Sequence, residues 1–194
     1  MNGRIYDFLI SPLEKCWIDK ARAKLLGDLE GTILDLGTGT GANFPHLTGA
    51  SRVIALDPDP HMLTVAESIA PAGFEIMRGS AENLALPDGH CDHVVSTLVL
   101  CSVSQPAQVF EEIKRVLKPG GTFHFLEHVR GDGIWGKLHD WCTPFWSRVA
   151  GGCELNRYTL SHLVDAGFEV NEQKVDFTFL GTPFILGRAN PKKL

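Results

Sequence analysis

Apolar residues along the chain alternate between two patterns. Runs of mostly apolar residues occur at Thr32–Leu36, Arg52–Asp57, Phe74–Arg78, His93–Thr97 and Thr122–Glu127, with the length and composition of strands buried on both faces. Between them, Met62, Leu63, Ala66 and Ile69 recur at helical spacing within Pro60–Ala70, and Val109, Ile113, Val116 and Leu117 do so in the segment opening at Pro106. Pro119, Gly120 and Gly121 form a stop signal for the second of these helices. Strands alternating with packing helices predict a doubly wound α/β sheet. Two further strands, Glu169–Val175 and Pro183–Arg188, are joined by the short loop Leu180–Thr182. That loop is too short for a parallel crossover, so the pair is expected to be antiparallel.

Two regions stand outside the alternation: the N-terminal segment, residues 1–28, and an insertion at residues 131–158 after the fifth strand. No internal repeat or low-complexity stretch interrupts the rest, and 194 residues suit one domain over 1–194. Composition adds exclusions. With 44% hydrophobic and 21% charged residues the chain reads as a soluble globular protein, and a net charge of −5 gives no pull toward nucleic acid. Cys16, Cys91, Cys101, Cys142 and Cys153 are widely spaced and lack a CxxC pair, which fits reduced thiols in a cytoplasmic protein better than disulfides or a zinc site. The start lacks the pattern of a secretory signal, and no uninterrupted apolar run reaches the roughly 18 residues of a membrane span.

The candidate chemistry begins at "LDLGTGTG", Leu34 to Gly41. Gly37, Gly39 and Gly41 follow the first strand and let backbone approach a ligand closely. Asp57 ends the second strand, about 20 residues after Gly37, where a carboxylate takes both hydroxyls of an adenosine ribose. Gly37, Gly39 and Ala42 also satisfy a dinucleotide pattern, but "ANFPHLTGASRV" carries Pro45 and reaches the next strand within a turn or two. A long helix behind the glycines, suited to a pyrophosphate, is therefore not expected. Asp35 is better placed for an ammonium group than for a dianion, so the half of the ligand beyond the ribose reads as zwitterionic.

"LDLGTGTG", "VIALDPDPHML", "GSAENLALPDGHCDHVVSTLVLCSV" and "EIKRVLKPGGTFHFLEHV" together resemble the class I S-adenosylmethionine-dependent methyltransferases. The resemblance implies a Rossmann-like seven-stranded sheet of order 3-2-1-4-5-7-6, strand 7 antiparallel and helices on both faces, with S-adenosylmethionine as cofactor and S-adenosylhomocysteine as product. Carried onto this sequence, the turn from Asp35 through Gly37, Thr38, Gly39 and Gly41 would lie along the methionine part, and Asp57 would bind the ribose. Pro58 and Met62 would flank the adenine, Ser80, Ala81 and Glu82 would meet its edge, and Thr97 and Leu98 would line the reacting end.

"TLVLCSV", "EHV" and "GCELNRYTLSHLVDAGF" resemble, more narrowly, the alkyl-thiol methyltransferase-like family and its bacterial small-molecule and phospholipid methyltransferase relatives. The preferred acceptor is accordingly a small apolar thiol, which is partly ionised near pH 7 with a reference pKa of about 8.5. No metal is required for such a transfer. His128, at the ligand edge of the fifth strand, is the candidate general base. Trp135, Trp141, Phe145, Trp146 and Tyr158 are expected either to close over the acceptor or to pack the insertion onto the sheet. Residues 1–28 are expected to form a helical lid. Phe8, Leu9, Leu13, Trp17 and Ile18 beside Lys15, Lys20, Arg22 and Lys24 also suit peripheral contact with a membrane surface, which would favour a phospholipid amine or quinone-type acceptor. A noncatalytic cofactor-binding partner subunit is the alternative from another class, and a nucleic-acid substrate is disfavoured.

Overall fold

The computed structural model describes residues 17–179 and 181–192, with backbone only for 172–179. Seven strands form one sheet: β1 (Thr32–Leu36), β2 (Arg52–Asp57), β3 (Phe74–Arg78), β4 (Cys91–Thr97), β5 (Leu117–His128), β6 (Phe168–Phe179) and β7 (Thr182–Pro191). Their order is β3-β2-β1-β4-β5-β7-β6. The first five are mutually parallel, while β7 runs antiparallel to both β5 and β6.

The two-residue period of each strand sends neighbouring side chains to opposite faces. Leu34, Ile54, Val94 and Phe125 belong to one buried cluster, and Ile33, Val53, Val95 and Leu126 to another. Helix α3 (Pro106–Val116) covers the first face with Val109, Phe110, Ile113 and Val116, each burial contributing about 1.5–3 kcal/mol. Its expected stop at Pro119 comes three residues late: Leu117 already has extended backbone and starts β5, pairing with Cys91 ahead of a register shift. Helix α2 (Pro60–Ile69) starts where Pro60 needs no amide partner and the Asp59 carboxylate accepts a bond from the His61 amide.

Helix α1 (Asp19–Leu26) covers the second face. Ile18, Ala21, Leu25 and Leu26 are buried with Ile33, Val95, Leu126 and Leu186, so this part of the expected lid is core. Its remainder, residues 1–16 with Phe8, Leu9, Leu13 and Lys15, lies outside the described residues. Because the strands from β1 to β5 are parallel, Leu36, Asp57, Thr97 and His128 all end at one edge, where open α/β sheets bind ligands.

Candidate active site

A cavity of about 470 Å³ opens at that edge, a size suited to a small molecule or cofactor. Its floor is the turn after β1. Gly37, at φ +67°, sits where a Cβ would strike the Val99 side chain at 2.5 Å, whereas nothing lies within 4 Å of the Cβ position at Gly39, at φ +57°. One glycine therefore lets the turn meet the loop after β4, and the other leaves the turn open toward the cavity. The turn is fixed by Thr38 N–H donating to the Leu56 carbonyl and Gly39 N–H donating to Asp57 Oδ2, both at 2.9 Å. Asp57 also accepts from the Asp59 amide at 2.9 Å. Burial raises its pKa, against the two backbone donors.

Asp35 lies behind the turn rather than on the cavity wall. It is fully buried, and its two oxygens accept from Thr38 Oγ1 at 2.6 Å and Asn43 Nδ2 at 2.7 Å. Asn43 in turn accepts from Thr97 Oγ1 at 3.1 Å, so a buried polar chain runs from the glycine turn to the end of β4. Burial pushes the Asp35 carboxyl up to about 6, with Thr38 and Asn43 opposing. Gly41 also leaves the wall and faces the Phe44 ring.

The Ser80–Glu82 loop is held from both sides. Glu82 accepts from Ser80 Oγ and, at 3.0 Å, from the Ser104 amide, joining the loops after β3 and β4 across the cavity. Farther along, Arg115 of α3 donates to the Leu84 and Leu86 carbonyls, and Glu112 accepts from the Leu84 amide. Helix α3 thus fixes the loop that presents Ala81 and Glu82.

The wall after β4 turns at Leu98, a non-glycine residue at φ +60°, a costly conformation kept where its surroundings enforce it. Leu98 N–H donates to the Leu126 carbonyl at 2.8 Å. Glu127 Oε1 accepts from Ser96 Oγ, Val99 N–H and Leu100 N–H at 2.8, 3.1 and 3.2 Å. Fully buried, Glu127 has its pKa raised by desolvation, with those donors opposing.

The sequence-expected residues Gly37, Thr38, Gly39, Asp57, Pro58, Met62, Ser80, Ala81, Glu82, Thr97 and Leu98 all line the cavity. His128 does not. It is buried behind the wall, with Nε2 at 3.2 Å from Cys153 Sγ. Burial opposes its charged form, but Cys153 and Glu127 outweigh that and raise its pKa. The Cys153 thiol is pushed above the ordinary range by Cys101 beside it and by burial.

Sequence reasoning missed Arg22, Asn43 and Glu127. Arg22, which the sequence groups with the basic residues beside the apolar face of the N-terminal segment, is 4% exposed and lines the cavity. The turn of α1 that buries Leu25 and Leu26 also carries Arg22 inward, and this was the available signal. Of the two expectations for the aromatic insertion, closure over the acceptor is overturned, while packing is met by Trp135, whose ring lies against Gly181 between β6 and β7. Helix α4 (Gly133–Val149) buries Gly136, His139 and Thr143, while Trp141 is 80% and Phe145 71% exposed. His139 accounts for the reversal: Nδ1 accepts from the Gly131 amide and Nε2 meets Thr182 Oγ1, both at 3.1 Å. None of the five aromatics lines the cavity, whose edge at this end is Ala150 and Gly151 after α4.

A family model described as a methyltransferase domain matches residues 34–125. The chain is 33% identical to thiol S-methyltransferase TMT1B of Homo sapiens, over 93% of this chain and 82% of that one. Among solved structures, an S-adenosylmethionine-dependent methyltransferase from Mesorhizobium loti superposes with a TM-score of 0.67 at 26% identity, covering 88% of this chain and 95% of that one. A methyltransferase from Thermotoga maritima, described as a possible histamine N-methyltransferase, shares the fold with a TM-score of 0.73 at 21% identity, covering 98% and 97%.

Proposed function

Since the chain belongs to the class I S-adenosylmethionine-dependent methyltransferases, we propose that it methylates the sulfur of a small apolar thiol. The residues present fit the cofactor. An open glycine cradle at Gly39, the Asp57 carboxylate at the end of β2 and the inward Arg22 cation all border one cavity. Asp57 would hold the ribose hydroxyls, Gly37 to Gly39 and Arg22 the amino-acid part, and Met62 and Ala81 to Glu82 the adenine. When bound, the cofactor supplies an electrophilic methyl on a positively charged sulfur.

One observation carries the choice of acceptor. The ionisable side chains on the described cavity wall are Arg22, Asp57, Asp59 and Glu82, and the wall formed by Thr97, Leu98, Val99, Ser102, Ala150 and Gly151 has none. An amine with a reference pKa of about 10.4 would need a base there, whereas a thiol, for which the cysteine side chain at about 8.5 is the reference, provides its own strongly nucleophilic thiolate by ionising. Leu98, Val99 and Ala150 favour an apolar body for that thiol. The chain's contribution is then to align the acceptor and keep water away. The similarity to a human thiol S-methyltransferase supports the same reading.

Initial rates with one apolar alkyl thiol test it. They should rise about tenfold per pH unit below the thiol's own pKa and level off above it. A rate independent of thiol ionisation would contradict unaided ionisation, and a preference for amines would remove the thiol.

A further inference from the structure

Cys101, His128 and Cys153 come from three separate segments: the loop after β4, the end of β5 and the loop after α4. Their ligand atoms, the two Sγ and one imidazole nitrogen, all lie within 4.8 Å of one another. Tetrahedral zinc, with Zn–S bonds of about 2.3 Å and Zn–N bonds of about 2.0 Å, places its donors roughly 3.5–3.8 Å apart, so the three lie within about 1 Å of the spacing a small thiophilic ion needs. His128 has a close contact at Nε2 only with Cys153 Sγ, and Nδ1 has no hydrogen-bond partner among the described residues. A buried imidazole tied to the protein through one thiol is poorly satisfied as a purely structural group. Cys91 and Cys142 show that cysteines elsewhere in this fold do without such company.

We propose that Cys101, His128 and Cys153 form a binding site for one zinc-class divalent ion. As the two sulfur–metal bonds form, both thiols release their protons to solvent and the imidazole ligates as the neutral base. Three protein ligands leave one coordination position for a further donor, the pattern of open rather than closed zinc sites. The site sits against the cavity: Ser102, beside Cys101, and Gly151, two residues before Cys153, both line it. An ion there would lock together the segments bordering the apolar wall, including the Glu154 amide that donates to the Cys101 carbonyl at 2.9 Å. The inference is independent of the acceptor's identity.

Cobalt titration of the reduced 194-residue protein is the direct test, because tetrahedral thiolate-bound cobalt has strong visible bands and a sulfur-to-metal charge-transfer band that aqueous cobalt lacks. One equivalent should bind with both signatures and be displaced by zinc. Cys101→Ser and Cys153→Ser should each weaken the charge-transfer band, and His128→Ala should lower affinity at least about tenfold, while Cys142→Ser should leave the titration unchanged. Zinc should raise the thermal midpoint of the unsubstituted protein but not of Cys101→Ser. Substoichiometric binding, or only the weak spectrum of octahedral cobalt, in the unsubstituted protein overturns the site even if every variant misfolds. So does an unchanged spectrum in a folded Cys101→Ser.

Discussion

Two buried carboxylates, one on each side of the cavity, hold its walls without lining it. Asp35 takes its hydrogen bonds from two side chains, Thr38 and Asn43. Glu127 takes one from Ser96 and two from the backbone of Val99 and Leu100. The amides of the glycine turn beside Asp35 already donate to the Leu56 carbonyl and the Asp57 carboxylate, so Asp35 reinforces a turn whose glycines permit it. The turn beside Glu127 passes through Leu98 at φ +60°, a conformation its residue type disfavours. There the carboxylate is a condition for the wall's shape. The cofactor side is held by what its residues can adopt locally, and the acceptor side by what distant residues impose.

The largest effect should come from breaking the imposed side. Glu127→Ala leaves three donors without their acceptor in the interior and should cost about 4 kcal/mol, a fall of roughly 10 °C in thermal midpoint for a chain of this size. Glu127→Gln keeps an acceptor oxygen and should recover most of that loss in thermal unfolding. Equal losses in the two variants would show that the carboxylate's bonds do not hold the wall.

Asp35 offers a comparison through pH. Its pKa rises from 3.8 to about 6 on burial, so between those values the folded protein keeps a proton that the unfolded chain has lost. The stability this confers is full below about pH 4 and is lost as pH rises through about 6. Asp35→Asn removes the titration. The stability of the unsubstituted protein minus that of the variant should therefore fall by up to about 3 kcal/mol from pH 4 to pH 7, as read by denaturant unfolding at each pH. A difference that stays level would mean the carboxyl ionises freely where it sits.

The same contrast explains what the sequence revealed. Asp57, Ser80 to Glu82 and the glycine turn sit at strand ends in short contiguous motifs, so local pattern and a known spacing located them. Cys101, His128 and Cys153 share no spacing rule, because their meeting depends on the β4, β5 and α4 ends converging, and the absence of a CxxC pair concealed the cluster. Arg22 and the outward aromatics of α4 failed for a related reason. Which face of an amphipathic helix turns inward is decided by its neighbours, and in α4 the His139 bonds to Gly131 and Thr182 set the face against residue hydrophobicity. All seven strands and the antiparallel hairpin of β6 and β7 were legible, and the strand order followed from the resemblance. The early start of β5 at Leu117 was hidden because Val116 and Leu117 continue the helical spacing of α3.

On the locally determined side, Asp57→Ala should lose charge-assisted hydrogen bonds of about 1.5–3 kcal/mol, weakening S-adenosylhomocysteine roughly ten- to a hundredfold in calorimetry. Unchanged affinity would take Asp57 out of the site. The smallest effect is expected at Trp141, whose side chain is 80% exposed. Trp141→Ser should change thermal stability by less than about 0.5 kcal/mol and leave cofactor affinity alone, whereas a large loss of either would mean that the aromatic face turns inward in solution.

The destination of the methyl group distinguishes a thiol acceptor from an amine or a phenol. S-adenosylmethionine labelled with a deuterated methyl, incubated with the protein and an equimolar mixture of one apolar thiol, its matching amine and its matching phenol, can be read by mass spectrometry. The label is expected on the thiol sulfur as a methyl thioether, with little on nitrogen or oxygen. Label on the amine or phenol, with the thiol unmodified, would contradict a thiol acceptor.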